Sequence, residues 1–228
     1  MATDKTSVLR NRSARLLSAV SAVALGFGLL TAAPAAMTAV ASAADCPDIE
    51  VVFARGTSEG PGVGRIGNAF INDLRGMVGG RSVGEYAVNY PADYDFLQAA
   101  GGANDASAHI QWMMANCPAT RLVLGGYSQG AAVVDAVAAL PFPGLGFDMP
   151  LPANAVDHVA AIAVFGNPTA KTGMPLTMSP TWGSRTIDLC NPGDIVCDSW
   201  AWSEDVGPHR AYDGGPAYAA AQFVAARV

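Results

Sequence analysis

Beyond its first 15 residues the 228-residue chain has no Lys/Arg cluster, and the whole of it has no internal repeat, only three histidines and just 14% charged residues. A chain without a basic cluster lacks the footprint of a nucleic-acid binder and of a protein that docks electrostatically on anionic membranes. No two of its four cysteines stand in Cys-x2-Cys spacing, so the usual zinc patterns are missing. Linker-like stretches are missing as well, and one folded domain is expected. The scarcity of histidine narrows the search for a general base to His109, His158 and His209.

The front of the chain reads as a targeting segment. Lys5, Arg10, Arg12 and Arg15 form a basic region, Leu16 to Leu30 is apolar, and Ala39 to Ala43 offers an Ala-x-Ala cleavage site. These are the parts of a secretory signal peptide over residues 1–43, cut after Ala43. Pro34 interrupts the apolar stretch, which argues against a retained anchor. Asp45 occupies the position before Cys46 where a lipidation signal wants a small residue. The expectation is a secreted protein with no stable membrane anchor after processing. Residues 44–228 would form the domain, long enough to bury a sizeable core. Loss of the four basic residues and Asp4 leaves 9 Lys+Arg against 18 Asp+Glu, a net charge of −9.

The most informative stretch runs from Arg121 to Val134. A short apolar run meets Gly126-Tyr127-Ser128-Gln129-Gly130, and an Ala/Val-rich helical segment follows without a break. Strand, tight turn and helix are the context in which Gly-x-Ser-x-Gly acts as a nucleophile elbow. A serine at the apex of a strained turn needs small neighbours, and the next helix offers free backbone N–H groups where an oxyanion would form. A plain Gly-rich β-to-α turn that happens to hold a serine is the competing reading.

Hydrophobic patterning predicts strands near 49–53, 83–90, 121–125, 159–165 and 185–189, and helices near 62–78, 95–116, 129–140 and 218–226. Gly101-Gly102 is expected to loosen the second helix, and the proline-rich 141–152 stretch to be a loop. Strands alternating with helices indicate an α/β domain with a parallel sheet covered on both faces. Behind a secretory signal, Cys46, Cys117, Cys190 and Cys197 imply two disulfides, with three pairings open. Pairing Cys190 with Cys197 would clip one small loop, and Cys46 with Cys117 would tie the N-terminus to the segment before the elbow strand.

An activated serine needs a base and a carboxylate to orient it. His109 precedes Ser128 in a helical pattern, and His158 opens a strand. His209 lies before the last helix, in an expected loop that could reach over a sheet edge. Asp194 sits between Cys190 and Cys197, where a closed loop would hold it rigidly; Asp188 falls inside a strand and Asp198 outside the clip.

Ala-Arg-Gly-Thr-Ser-Glu, Gly-Tyr-Ser-Gln-Gly, Cys-x3-Asp-x-Val-Cys and Pro-His-x-Ala-Tyr, in this order, make the chain resemble the cutinase family from Cys46 to about Tyr218. Its bacterial esterases and its acetylxylan esterases are the nearest in character. The resemblance implies a lidless single-domain α/β hydrolase with a mainly parallel five-stranded sheet and helices on both faces. It implies a triad of Ser128, Asp194 and His209, an oxyanion hole from Thr57 and the Gln129 N–H, and disulfides Cys46–Cys117 and Cys190–Cys197. It implies no metal and no organic cofactor. One departure is the stretch 198–206, where Trp200, Trp202, Glu204 and Asp205 replace a largely aliphatic acyl-site wall. Activity on cutin itself is therefore not expected.

The expected activity is hydrolysis of carboxylic esters with short to medium acyl chains, lipid or phospholipid esters included, by a monomer that binds no nucleic acid. The apolar 141–152 loop and the two tryptophans are expected to favour such acyl groups. The alternatives are a polysaccharide deacetylase with the tryptophans as sugar platforms, a non-catalytic cell-wall binding protein on a hydrolase scaffold, and an acyltransferase sharing the same triad.

Overall fold

The computed structural model describes residues 46–202 and 204–228; the expected signal peptide lies outside them. Five strands, β1 (Ile49–Ala54), β2 (Val83–Ala87), β3 (Arg121–Tyr127), β4 (Val159–Phe165) and β5 (Thr186–Leu189), form one sheet in the order β2-β1-β3-β4-β5. Every neighbouring pair is parallel. Parallel pairing buries both faces, which is why β1, β3 and β4 are nearly continuous apolar runs.

Successive side chains of a strand point to opposite faces, so each central strand feeds two cores. Toward one face, Val51, Phe53, Val123 and Phe165 pack with Ile66, Phe70 and Leu74 of α1 (Gly64–Met77). That helix places its apolar residues four apart, one stripe facing the sheet. Beside it lies α5 (Gly215–Ala225), whose small Ala217, Ala220 and Ala221 permit close approach. Toward the other face, Val52, Leu122 and Leu124 pack with α2 (Ala99–Asn116) and α3 (Gln129–Ala139). A one-turn helix, α4 (Gly207–Arg210), precedes α5.

Several expectations are corrected. The second strand ends at Ala87 rather than Tyr90. The carbonyls of Val88, Tyr90 and Pro91 leave the ladder because the buried Arg55 guanidinium donates to all three. Gly101-Gly102 does not loosen α2. Gly102 lies against the Tyr90 ring, where an added Cβ would sit 3.0 Å from Cγ, so the missing side chain admits the packing of helix on loop. The last helix starts earlier than expected, at Gly215, with Pro216 in its first turn.

In open parallel sheets, ligands bind beyond the carboxyl ends of the strands where the strand order reverses. Here that reversal lies between β1 and β3. The chain leaving β1 carries Thr57 and the chain leaving β3 carries Ser128.

Candidate active site

Ser128 joins β3 to α3 with φ 56° and ψ −118°, a strained conformation for a residue with a side chain. The turn is possible only because its neighbours lack Cβ atoms. One added at Gly126 would meet the Gly130 carbonyl oxygen at 2.2 Å, and one at Gly130 the Ala54 oxygen at 2.0 Å. A 2.9 Å hydrogen bond from Ser128 N–H to the Phe165 carbonyl ties the elbow to the end of β4.

His209 stands on α4, a helical turn rather than the expected loop. Its Nε2 lies 2.9 Å from Ser128 Oγ and its Nδ1 2.8 Å from Asp194 Oδ2. Tyr127 packs its ring on the imidazole and donates its hydroxyl to the His209 carbonyl at 2.7 Å. Asp194 is fully buried. Its Oδ1 accepts the Val196 N–H at 2.8 Å, and its Oδ2 also accepts the Tyr212 hydroxyl at 2.6 Å. Burial pushes its carboxyl up, but the hydrogen bonds from His209, Tyr212 and Val196 outweigh burial and hold it below the ordinary carboxylate value. An ionised carboxylate only accepts, so Nδ1 carries the donated proton and Nε2 is left to accept from Ser128.

Disulfides join Cys46 to Cys117 and Cys190 to Cys197. Ligand-type atoms of Cys190, Asp194 and Cys197 lie within 4.8 Å of one another, but both sulfurs are bonded to each other and the carboxylate is engaged by His209 and Tyr212. They make no zinc site. The other histidines lie at the opposite, amino end of the strands. His109 pairs with Glu50 at 2.5 Å and stacks on Tyr86 at 3.5 Å, while His158 caps the turn before β4.

Thr57 donates its hydroxyl to Gln129 Oε1 at 3.0 Å. Gln129 opens α3, so its backbone N–H has no acceptor within the helix. The loop carrying Thr57 is held from both sides. Arg55 Nε donates to the Glu59 carbonyl at 2.9 Å, and the Glu59 carboxylate accepts the N–H groups of Gly56 and Arg65, each at 2.8 Å.

Ser128, partly exposed, faces an open cavity of about 570 Å³ that Thr57, Gln129 and His209 also line. Its apolar walls come from Tyr94, Phe96 and Ala99 on one side and Pro168, Val196 and Val206 on the other. Here the sequence reading is corrected twice. Trp200 and Trp202 project into solvent, 82% and 91% exposed, and the valines at either end of their loop form the wall instead. The 141–152 loop does not line the cavity. It is drawn away by Asn104 of α2, which bonds Gly146, Asp148 and Met149, and by burial of Phe147. Tyr94 went unnoticed because it lies outside any periodic pattern, and Phe96 was read only as part of the helix near 95–116, whereas it stands in a 3-10 turn, Phe96–Gln98, ahead of α2. Tyr212 could have been noticed, three residues after His209 in Pro-His-x-Ala-Tyr.

Fold and site together define an α/β hydrolase. A sequence model described as cutinase matches residues 45–228, and the chain belongs to the cutinase family. It is 53% identical over 221 residues to phospholipase Culp4 of Mycobacterium tuberculosis, covering 96% of this chain and 95% of that protein. To carboxylesterase Culp1 of Mycobacterium bovis it is 44% identical over 224 residues, with 94% and 95% covered. Among solved structures it is similar to Trichoderma reesei cutinase bound to a phosphonate inhibitor, with TM-score 0.62, 31% identity and 78% and 75% of the two chains covered. The catalytic core of an acetyl xylan esterase from the same organism gives TM-score 0.69 at 25% identity, covering 81% and 100%. The chain is a carboxylic ester hydrolase on a cutinase-like scaffold.

Proposed function

We propose that this chain is an exported serine esterase that cleaves short- to medium-chain acyl esters, lipid esters among them, with Ser128 as nucleophile. The observation that carries the reading is the hydrogen-bonded series Ser128–His209–Asp194 at the floor of an apolar cleft. In the proposed reaction His209 Nε2 takes the Ser128 proton as Oγ attacks the ester carbonyl. Asp194 holds the imidazole tautomer and stabilises the imidazolium. The Gln129 N–H stabilises the oxyanion, joined by the Thr57 hydroxyl as it turns its one proton from Gln129 Oε1 to the oxyanion, a contribution of about 10²–10³ in turnover for one such donor. His209 then gives its proton to the leaving alcohol, and water repeats the sequence on the acyl-serine.

The acyl group would lie between Tyr94 and Phe96 and the opposing Pro168, Val196 and Val206. Cleavage after Ala43 would release the domain without a membrane anchor, and among the described residues no helix is long and apolar enough to cross a membrane. Two disulfides fit an oxidising compartment. Association with the cell wall and a monomeric state complete the reading. Polysaccharide deacetylation is the second reading, favoured by the two solvent-facing indoles, which could stack on sugar rings.

The test is hydrolysis of p-nitrophenyl esters from acetyl to palmitoyl, beside acetylated xylan, by the processed wild type and Ser128→Ala. Activity above background should vanish in the variant. A butyrate-to-octanoate optimum supports the acyl-ester reading, and acetate release from xylan alone overturns it in favour of deacetylation. Equal activity of wild type and Ser128→Ala removes the nucleophile assignment.

A further inference from the structure

Behind the cleft wall lies a polar cluster that the reaction above does not use. Asn167, fully buried, follows β4 and opens the short turn Pro168–Thr172. Its Oδ1 accepts the Thr169 N–H at 3.0 Å. Its Nδ2 donates to two carboxylates at once, Asp135 Oδ2 on α3 and Asp188 Oδ2 on β5, each at 3.0 Å. Thr169 adds its hydroxyl to Asp135.

Capping alone does not require asparagine. Serine, threonine or aspartate caps a helical turn with an oxygen just as well, but none supplies two N–H donors. Asn167 therefore joins three elements, and each leads to a different part of the site. Helix α3 begins at the elbow and β5 leads into the Asp194 loop. The residue before Asn167, Gly166, has φ 56° and its backbone lies against the His209–Asp194 pair. A Cβ added there would stand 2.9 Å from His209 Cε1 and 3.1 Å from Asp194 Oδ2. Gly166 N–H donates to the Leu189 carbonyl at 2.9 Å, Pro168 lines the cleft, and Lys171 donates to the Ile195 carbonyl at 2.6 Å.

We propose that Asn167 is a positioning residue for ester hydrolysis: gripped by Asp135 and Asp188, it holds Gly166 against the His209–Asp194 hydrogen bond and Pro168 in the cleft wall. The proposal rests on the reading of Ser128, His209 and Asp194 as the reacting groups. Loss of the two donors leaves two buried carboxylates facing each other with no shared partner, and their separation would carry α3 and β5 apart. The imidazole would lose the backbone that confines it. Sub-ångström misplacement of a reacting group is costly even when the chemistry is intact.

The experiment compares wild type, Asn167→Ala, Asp188→Ala, Asp188→Asn and Ser128→Ala on p-nitrophenyl butyrate, with circular dichroism to verify folding. The far-downfield Nδ1–H proton resonance of His209 reports its bond to Asp194. Asn167→Ala should lower kcat by about 10- to 100-fold, move KM by less than about 3-fold and broaden that resonance. Asp188→Ala, which removes one grip, should act in the same direction and serves if Asn167→Ala does not fold. Asp188→Asn, whose amide oxygen still accepts from Nδ2, should restore most of the kcat that Asp188→Ala loses. Folded Asn167→Ala or Asp188→Ala with wild-type kcat and an unchanged resonance overturns the proposal, as does a rise in KM alone. Activity surviving in Ser128→Ala overturns the triad reading instead.

Discussion

At the scale of single residues, the cluster around Asn167 has a cost that depends on pH. Burial, with a smaller contribution from the neighbouring Asp135 charge, pushes the Asp188 carboxyl up to about 6 against the opposing Asn167 hydrogen bond. The groups facing it are Asp135 from α3 and Asn167 from the turn after β4; among the described residues no cation contacts either carboxylate. The unfolded chain releases this proton near the ordinary value of 3.8, whereas the folded chain keeps it to about 6. Between those values the folded state binds more protons, so stability falls as pH rises through the window and stays lower above it. Asp188→Asn abolishes the titration. Calorimetric scans should therefore find the variant more stable than wild type at pH 7.5, with the advantage shrinking toward pH 4. A variant that melts below wild type by the same margin at both pH values contradicts this account.

Among the elements, the loop clipped by Cys190–Cys197 and the long loop closed by Cys46–Cys117 do different work. Their sequence separations are 7 and 71, so in the chain-entropy model the short clip contributes about 2.5 kcal/mol and the long one about 4. Yet only the short clip encloses Asp194. Replacing Cys190 and Cys197 by serine should cut kcat by about 10-fold or more while lowering Tm less than the matching change at Cys46 and Cys117 does. Stopped-flow turnover and thermal melts on both double variants check the crossover. Parallel losses of kcat and Tm would remove the special role of the short loop.

Much of this element-level organisation was legible in the chain. The strands were visible because buried parallel strands are uninterrupted apolar runs, as at Val159–Phe165. The elbow was visible because its glycines and serine are adjacent in sequence. The one-turn helix under His209 and the turn after Asn167 were not, since elements this short have too few residues for a period and are fixed by long-range bonds such as Tyr127 to His209. Asp188 was noticed only as a possible partner of the base. Its contact with Asn167 joins residues 21 positions apart, and no local pattern announces it.

The molecule as a whole is acidic, with a formal charge of −6 over the chain, yet apolar side chains ring its cleft. Tyr94, Phe96 and Leu97 are 77%, 59% and 87% exposed on one side, and Trp200 and Trp202 stand at the tip of the loop that supplies Val196 and Val206 on the other. Asp93 and Asp95 flank the first group, so an anionic surface would be repelled where the aromatic residues would touch it. If lipid esters are the substrate, adsorption must come from apolar and interfacial contact, to which indoles are well suited. Turnover on zwitterionic vesicles should then be nearly independent of salt, whereas turnover on anionic vesicles should rise with salt as repulsion is screened. The double variant Trp200→Ala/Trp202→Ala should lose activity on vesicle-borne esters by about 5-fold or more and change by less than about 2-fold on soluble p-nitrophenyl butyrate, because neither indole lines the cavity. Equal losses on both substrates would make the indoles part of the acyl site. Loss on acetylated xylan with vesicle turnover intact would make them a sugar platform, and the lipid reading of this surface would fail.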